Sequence, residues 1–318
     1  MKKKILITGG AGFIGSHTTR ALLHKQYSVV CVDNFDPFYS LSVKQKNISD
    51  FLKNPHYKLY KEDIRNYKNL EKIFLREKPD RIIHLAAKAG VRPSIEKPGE
   101  YQEVNVAGTL NLLELARKYK IKQFIFASSS SVYGNNKQIP FSENDNTDEQ
   151  ISPYGATKKA GELLCRTYSH LYKIPVTCLR FFTVYGPSGR PDMAPYKFTE
   201  NIYKGIPLTK YGEGNSRRDY TFIDDIVTGI VSCLSKKLDF EIFNLGGGSM
   251  ISLNKFVALI EKIVGKKAKI KRMSNQMGDV KVTNADISKA KKILKFNPKY
   301  DIEKGMKNFF EWYLQNGK

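Results

Sequence analysis

Thr8-Gly9-Gly10-Ala11-Gly12-Phe13-Ile14-Gly15-Ser16 follows directly on the apolar run Lys3 to Thr8, and this junction decides the fold. The run is short and rich in branched residues, as a buried parallel strand requires. Gly9, Gly12 and Gly15 then fall at three-residue spacing, and residues 14–25 continue as a helix with an apolar side formed by Phe13, Ile14, Ala21 and Leu22. Glycine at these positions lets the chain turn tightly. It also lets a pyrophosphate reach the free N–H groups of a helix start, where the peptide dipole favours an anion. A second candidate strand, 28–33, ends in Asp33. A carboxylate there accepts ribose hydroxyls, and no arginine follows it to receive a 2′-phosphate, so the pattern favours NAD over NADP.

Working outward, candidate strands at 3–8, 28–33, 57–61, 81–86, 122–127 and 175–181 alternate with helices at 14–25, 66–77, 99–119 and 153–173. That alternation predicts an α/β fold with a doubly wound parallel sheet and right-handed crossovers. Residues 135–152 are polar and read as a surface loop before the helix at 153. Beyond about 182 the rhythm changes, with turns at Gly186-Pro187, Gly212-Glu213-Gly214 and Gly246-Gly247-Gly248 and helices near 196–204, 224–235, 252–264 and 301–314. The expected division is a nucleotide-binding domain at 1–182 and a smaller α/β substrate domain at 183–318, with segments near 219–246 returning to the first.

Tyr154-Gly-Ala-Thr-Lys158 makes the chemistry concrete. Residues four apart on a helix share a face. A tyrosine titrates near about 10, too high for a base at neutral pH. A nearby ammonium and the positive nicotinamide of NAD stabilise the phenolate, and Lys158 can also hold the nicotinamide ribose. This spacing alone describes many ordinary helix surfaces. A third partner separates it from them: the apolar strand Phe124-Ile-Phe-Ala127 delivers Ser128-Ser-Ser-Ser131 to its carboxyl end, where ligands bind in such sheets. One of these hydroxyls can share a hydrogen bond with the alcohol being oxidised.

With these residues, His84-Leu-Ala-Ala87 and Arg180-Phe-Phe-Thr-Val-Tyr-Gly-Pro187, the chain resembles the extended short-chain dehydrogenase/reductases of the nucleotide-sugar epimerase–dehydratase group over nearly its whole length. Within that group, Arg180 to Ala194 and Ala89-Gly-Val-Arg92 resemble the UDP-glucuronate 4-epimerases. The resemblance implies a tightly bound NAD that is regenerated each cycle, with Tyr154, Lys158 and Ser129 as the catalytic group. It places the cofactor on Gly9, Gly12, Phe13, Ile14, Gly15, Asp33, Asn34, Asp63, Ile64, Leu85, Ala86, Ala87, Tyr154 and Lys158. It places a UDP-sugar on Arg92, Ser128, Ser129, Ser130, Thr183, Arg190, Arg218 and Asp279. Arg190 would pair with a carboxylate or a phosphate, Arg218 with the diphosphate and Asp279 with the ribose. A homodimer formed through the helices at 99–119 and 153–173 is also implied. Related UDP-galactose epimerases carry an arginine near the position of Gln276, and this chain does not.

The resemblance separates reactions as well. Ser130 and Ser131 stand where 4,6-dehydratases carry an Asp–Glu pair, and decarboxylating relatives tend to carry Glu at position 131. Eliminating water across carbons 5 and 6 needs a carboxyl acid and base, which two serines do not supply. The implied activity is inversion at carbon 4 of a UDP-uronic acid, UDP-glucuronate to UDP-galacturonate, through a transient 4-keto sugar. The alternatives are a UDP-glucose or UDP-N-acetylhexosamine 4-epimerase and, more distantly, a non-catalytic NAD-binding protein.

Composition narrows the remaining classes. The chain has 318 residues, 41% of them apolar, enough for a core, and a net charge of +22. Most lysines are spread through amphipathic helices and turns. The densest run, Lys266-Lys-Ala-Lys-Ile-Lys-Arg272, lacks interleaved aromatics and suits an exposed strand, so no nucleic-acid partner is expected. A basic surface would instead raise the encounter rate of a multiply charged sugar nucleotide. Cys31, Cys165, Cys178 and Cys233 and the five histidines lack metal-ligand spacing. His84 reads as a packed residue, the thiols as buried and reduced, and no metal is expected. No apolar run reaches a membrane span. Together these give a cytoplasmic protein.

Overall fold

The computed structural model describes residues 3–236, 238–274 and 280–317. In chain order the first elements are β1 (Lys4–Thr8), α1 (Phe13–His24), β2 (Ser28–Val32), α2 (Leu41–Ile48), β3 (Tyr57–Tyr60), α3 (Tyr67–Glu77) and β4 (Arg81–His84). Next come α4 (Val91–Glu96), α5 (Pro98–Tyr101), α6 (Gly108–Lys118), β5 (Gln123–Ser129), α7 (Pro153–Tyr172), β6 (Val176–Phe181) and β7 (Thr183–Tyr185). The remainder is α8 (Ala194–Lys204), β8 (Leu208–Tyr211), β9 (Arg217–Phe222), α9 (Ile223–Cys233), β10 (Phe240–Leu245), β11 (Met250–Ser252), α10 (Leu253–Val264), β12 (Ile270–Met273), α11 (Ser288–Leu294) and α12 (Ile302–Asn316).

Seven strands form one parallel sheet in the order β10-β6-β5-β4-β1-β2-β3. The chain reverses direction across the sheet between β1 and β4, and at such a switch point a crevice opens beyond the strand ends. Thr8 pairs with His84 there, and the Leu85 N–H donates to the Thr8 carbonyl at 3.1 Å. Alternate strand residues feed two cores, as the two-residue period of a strand dictates. Ile5, Ile7, Val29, Ile83 and Leu179 face α1 and α9, while Leu6, Val30, Ile82, Phe124 and Val176 face α3, α6 and α7.

Several expected boundaries move. The helix expected at 99–119 is α5 and α6 joined by a π-helical turn, Gln102–Ala107. Of the segment 219–246, α9 packs on α1 and β10 joins the sheet, but β9 lies outside it, between β7 and β11 in a three-stranded sheet. The loop at 135–152 is not purely a surface feature, since Phe141 is buried against Tyr133 with ring centroids 4.7 Å apart. Within the run 266–272, β12 pairs in parallel with β8, and all four of its residues are exposed.

Candidate active site

A cleft of about 690 Å³ opens over the carboxyl ends of the central strands. The glycine turn forms its floor. Gly9 has a φ of 70°, and a Cβ there would lie 2.8 Å from the Ala86 backbone nitrogen. A Cβ on Gly15 would lie 2.1 Å from the Gly9 carbonyl oxygen, so only glycine allows the helix to start this close to the strand. Gly12 caps α1 with no side-chain hydrogen bond, and the Tyr39 hydroxyl meets the Phe13 N–H of its first turn. Phe13 and Ile14 line the same wall.

Asp33 follows β2 and is held by two backbone donors, Ala11 N–H at 3.0 Å and Phe35 N–H at 2.8 Å. Asn34 donates to Asp63 at 2.8 Å, and Arg65 pairs with the same carboxylate at 3.0 Å. Ile64, Leu85, Ala86 and Ala87 complete this end. A helix start on a glycine turn, next to a positioned carboxylate, fits a dinucleotide. Sequence reasoning missed Lys44 of α2, whose buried ammonium lies 3.9 Å from Asp33. Its signal was weak, because ten residues, including a loop, lie between the two.

Strand β5 and helix α7 build the reactive end. Ser152 caps α7 by accepting from the Gly155 N–H at 3.1 Å, and Pro153 occupies the first turn. In the same first turn, the Tyr154 ring stands edge-on to Tyr101 at 6.2 Å, and its backbone N–H donates to Ser94 at 3.1 Å. Burial raises the Tyr154 hydroxyl above its ordinary pKa, opposed by a hydrogen bond with Ser129 and by the positive charge of Arg190. Lys158 lies one turn further along the same helix and lines the same cleft. Its ammonium donates to the Ala127 carbonyl at 2.7 Å and lies 5.1 Å from the Phe126 ring centre, and burial lowers its pKa to about 8. Arg190, from the loop after β7, is a cation that bears on the tyrosine.

The serine run divides by direction. Ser128 is buried and donates to Glu162 at 2.5 Å, and Glu162 in turn holds Arg180 through two bonds of 2.9 Å. Its hydroxyl proton is committed to this buried pair, while the residue still borders the cleft. Ser129, Ser130 and Thr183 line the cleft, together with Arg92, Arg190 and Arg218. Arg92 stacks over Tyr211 at 4.6 Å, and Arg218 donates to the Arg217 carbonyl at 3.0 Å. Asp279 and Gln276 lie outside the described residues. His84 sits between Thr8 at 2.7 Å and Thr109 at 2.9 Å, and burial lowers its pKa to about 3, so it is a packed neutral residue.

Asn105 also escaped the sequence reading. It sits in the π-helical turn, accepts from the Lys88 N–H at 2.8 Å and donates to Thr157 of α7 at 3.1 Å, tying the loop after β4 to the reactive helix. π-Helical turns concentrate at such sites. An asparagine three residues before Gly108, inside an apparent helix, was the available clue. Among the described residues no group of three or more His, Cys, Asp or Glu could hold a metal ion, and no helix is long and apolar enough to cross a membrane.

Comparisons with known proteins agree with this layout. A UDP-glucuronate 4-epimerase of Thermodesulfobacterium geofontis is 44% identical over 312 residues, covering 98% of this chain and 96% of that protein. The crystal structure of UDP-glucuronic acid 4-epimerase from Bacillus cereus, in complex with UDP-glucuronic acid and NAD, superposes with a TM-score of 0.93 at 39% identity, covering 98% of this chain and 99% of that one. A UDP-glucose 4-epimerase of Thermotoga maritima, solved with UDP-glucose, superposes with a TM-score of 0.92 at 32% identity, covering 99% and 100%. The family model described as GDP-mannose 4,6 dehydratase matches residues 6–309, and the chain belongs to that family of nucleotide-sugar epimerases and dehydratases.

Proposed function

We propose that this chain is an NAD-dependent UDP-glucuronate 4-epimerase that inverts carbon 4 to give UDP-galacturonate. The observation that carries the substrate assignment is that Arg190, Thr183 and Ser130 line one cleft with Tyr154 and Ser129. The strand end offers hydroxyls where a dehydratase needs carboxyl groups, and a guanidinium stands where an acidic substituent can be met. The NAD-bound and UDP-glucuronic acid-bound relative from Bacillus cereus supports the same reading.

Gly9, Gly12, Gly15, Asp33 and Lys158 would hold NAD, which supplies the hydride acceptor for carbon 4 when bound. Tyr154 takes the proton of the 4-hydroxyl and later returns one to the 4-keto oxygen. Ser129, hydrogen-bonded to Tyr154, shares the reacting oxygen and fixes its distance from the base. Arg190 favours the phenolate over the phenol. Between the two half-reactions the sugar turns about its linkage to the diphosphate and presents its opposite face, while Arg218 holds the diphosphate. A 4-keto uronate is a β-keto acid, and it loses carbon dioxide when the carboxylate bond aligns with the carbonyl π system. Ser130, Thr183 and Arg190 keep that bond out of alignment.

One observation favours a second reading, a 4-epimerase of a neutral UDP-hexose. Arg190 is paired with Asp192 at 2.6 Å, so its charge is already balanced. Measuring kcat/KM on UDP-glucuronate and UDP-glucose separates the two, and a preference for the neutral sugar would overturn the uronate assignment.

The protein is further proposed to act in a reducing cytoplasm as a homodimer through α6 and α7. Its four cysteines are buried and free, and Leu110, Leu163 and Leu171 are exposed on those two helices.

A further inference from the structure

Arg190 belongs to a loop whose backbone is fixed from several sides. His17 of α1 hydrogen-bonds the Pro187 carbonyl at 2.9 Å, the Gly189 N–H donates to Gly186 at 3.0 Å, and the Met193 N–H donates to the Arg190 carbonyl at 3.2 Å. Ser188 holds a left-handed φ of 59° within the same turn. The side chain, in contrast, rests on two contacts that can be exchanged. Its Nε and Nη2 donate to Oδ1 and Oδ2 of Asp192 at 3.0 and 2.6 Å, and its guanidinium lies 5.1 Å from the Phe38 ring centre. Asp192 and Phe38 line the same cleft as Tyr154.

The other acids of the cleft are engaged elsewhere. Asp33 accepts two backbone N–H groups, Asp36 pairs with Lys88 at 2.9 Å, Asp63 pairs with Arg65, and Glu62 accepts from Asn69 at 2.9 Å. Asp192 alone among the cleft acids of the described residues is paired with Arg190. A bidentate carboxylate uses two of the five guanidinium N–H donors, in the geometry an incoming carboxylate would also adopt.

We propose that Asp192 is a specificity-determining counter-ion, a resident carboxylate that competes with the ligand's carboxylate for Arg190 and so sets how strongly the site prefers an acidic sugar to a neutral one. This rests on the uronate reading of Arg190 given above. A uronate that approaches Arg190 meets the negative charge of Asp192 on the same guanidinium, and a neutral hexose does not. Asp192 therefore tempers the attraction for the acid and keeps Arg190 from holding any passing anion when no sugar is present.

The test compares Asp192→Asn with the parent chain, both saturated with NAD and both carrying Tyr154→Phe so that neither sugar turns over. Dissociation constants are measured by calorimetry for UDP-glucuronate, UDP-glucose and UDP. The expected result is that UDP-glucuronate binds about three- to tenfold more tightly to the asparagine variant, with UDP-glucose and UDP unchanged within about twofold. Asp192→Glu, which keeps the charge, should retain the parent ratio. An unchanged ratio, a shift toward UDP-glucose, or equal tightening of UDP would overturn the proposal. Inversion of UDP-glucuronate by the unmodified chain is assayed separately. Its failure removes the uronate reading, whereas inversion together with an unmoved ratio removes only the role of Asp192.

Discussion

Tyr154 carries opposing influences whose balance sets its reactivity. Burial disfavours the phenolate, while Ser129 and Arg190 favour it. Tyr154→Phe keeps the packing but removes the acid–base group, so kcat should fall by about a hundredfold to ten-thousandfold while NAD stays bound, as read by turnover and by the absorbance of the released dinucleotide. Unchanged turnover would exclude the tyrosine as the base. Arg190→Gln withdraws the positive charge. The tyrosine pKa then rises further, and because the base must be deprotonated, the acid limb of kcat should move to higher pH. The same variant should release carbon dioxide from UDP-glucuronate, since the guanidinium no longer orients the carboxylate. The Tyr–Lys pair and the serine run were legible in the sequence because their spacing and their attachment to an apolar strand are local properties. That Arg190 also bears on the hydroxyl was not legible. It depends on a loop more than thirty residues away folding back over the helix.

At the level of elements, α7 is tied to β5 and β6 by charge as well as by apolar packing. Glu162 and Arg180 are both almost fully buried, and the Arg180 guanidinium also lies 4.8 Å from the Tyr133 ring centre. Removing one partner strands the other in a low-dielectric interior, so Arg180→Met should cost about 3–5 kcal/mol of stability. Glu162→Met together with Arg180→Met should recover much of that loss in a thermal melt, and a double variant no more stable than the single one would contradict the pairing. The strands and helices of the first half were readable because parallel strands buried on both faces are continuous apolar runs. The short strands β7, β8, β9 and β11 were not. They have three to six residues each, and β8 and β9 carry charged residues such as Lys210, Arg217, Arg218 and Asp219, so no long run or period marks them. The π-helical turn escaped for a related reason, since one inserted residue leaves the helical pattern on either side intact.

For the whole molecule, the two histidines that brace the switch point and the Arg190 loop make stability depend on pH. Burial lowers His84 to about 3 and His17 to about 4, from an ordinary value of 6.5. The folded chain thus holds both neutral where the unfolded chain would protonate them. Their contribution is complete above about 6.5 and is lost as pH falls toward the folded values, each adding a slope approaching about 1.4 kcal/mol per pH unit. The melting temperature should fall between pH 7 and 4.5, and His17→Gln should flatten that fall. Charge introduced on the exposed face of α7 tests the proposed homodimer: Leu163→Glu with Leu171→Glu should sediment as a monomer where the parent chain sediments as a dimer, and a variant that still dimerises would place the interface elsewhere. In the proposed reaction the chain borrows hydride from carbon 4 and returns it to the opposite face with the carboxylate retained. The most direct measurement is NMR of purified protein incubated with UDP-glucuronate and no added cofactor. A mixture of UDP-glucuronate and UDP-galacturonate, free of UDP-pentose, is the predicted result. Unchanged UDP-glucuronate, or a decarboxylated product in place of the epimer, would contradict it.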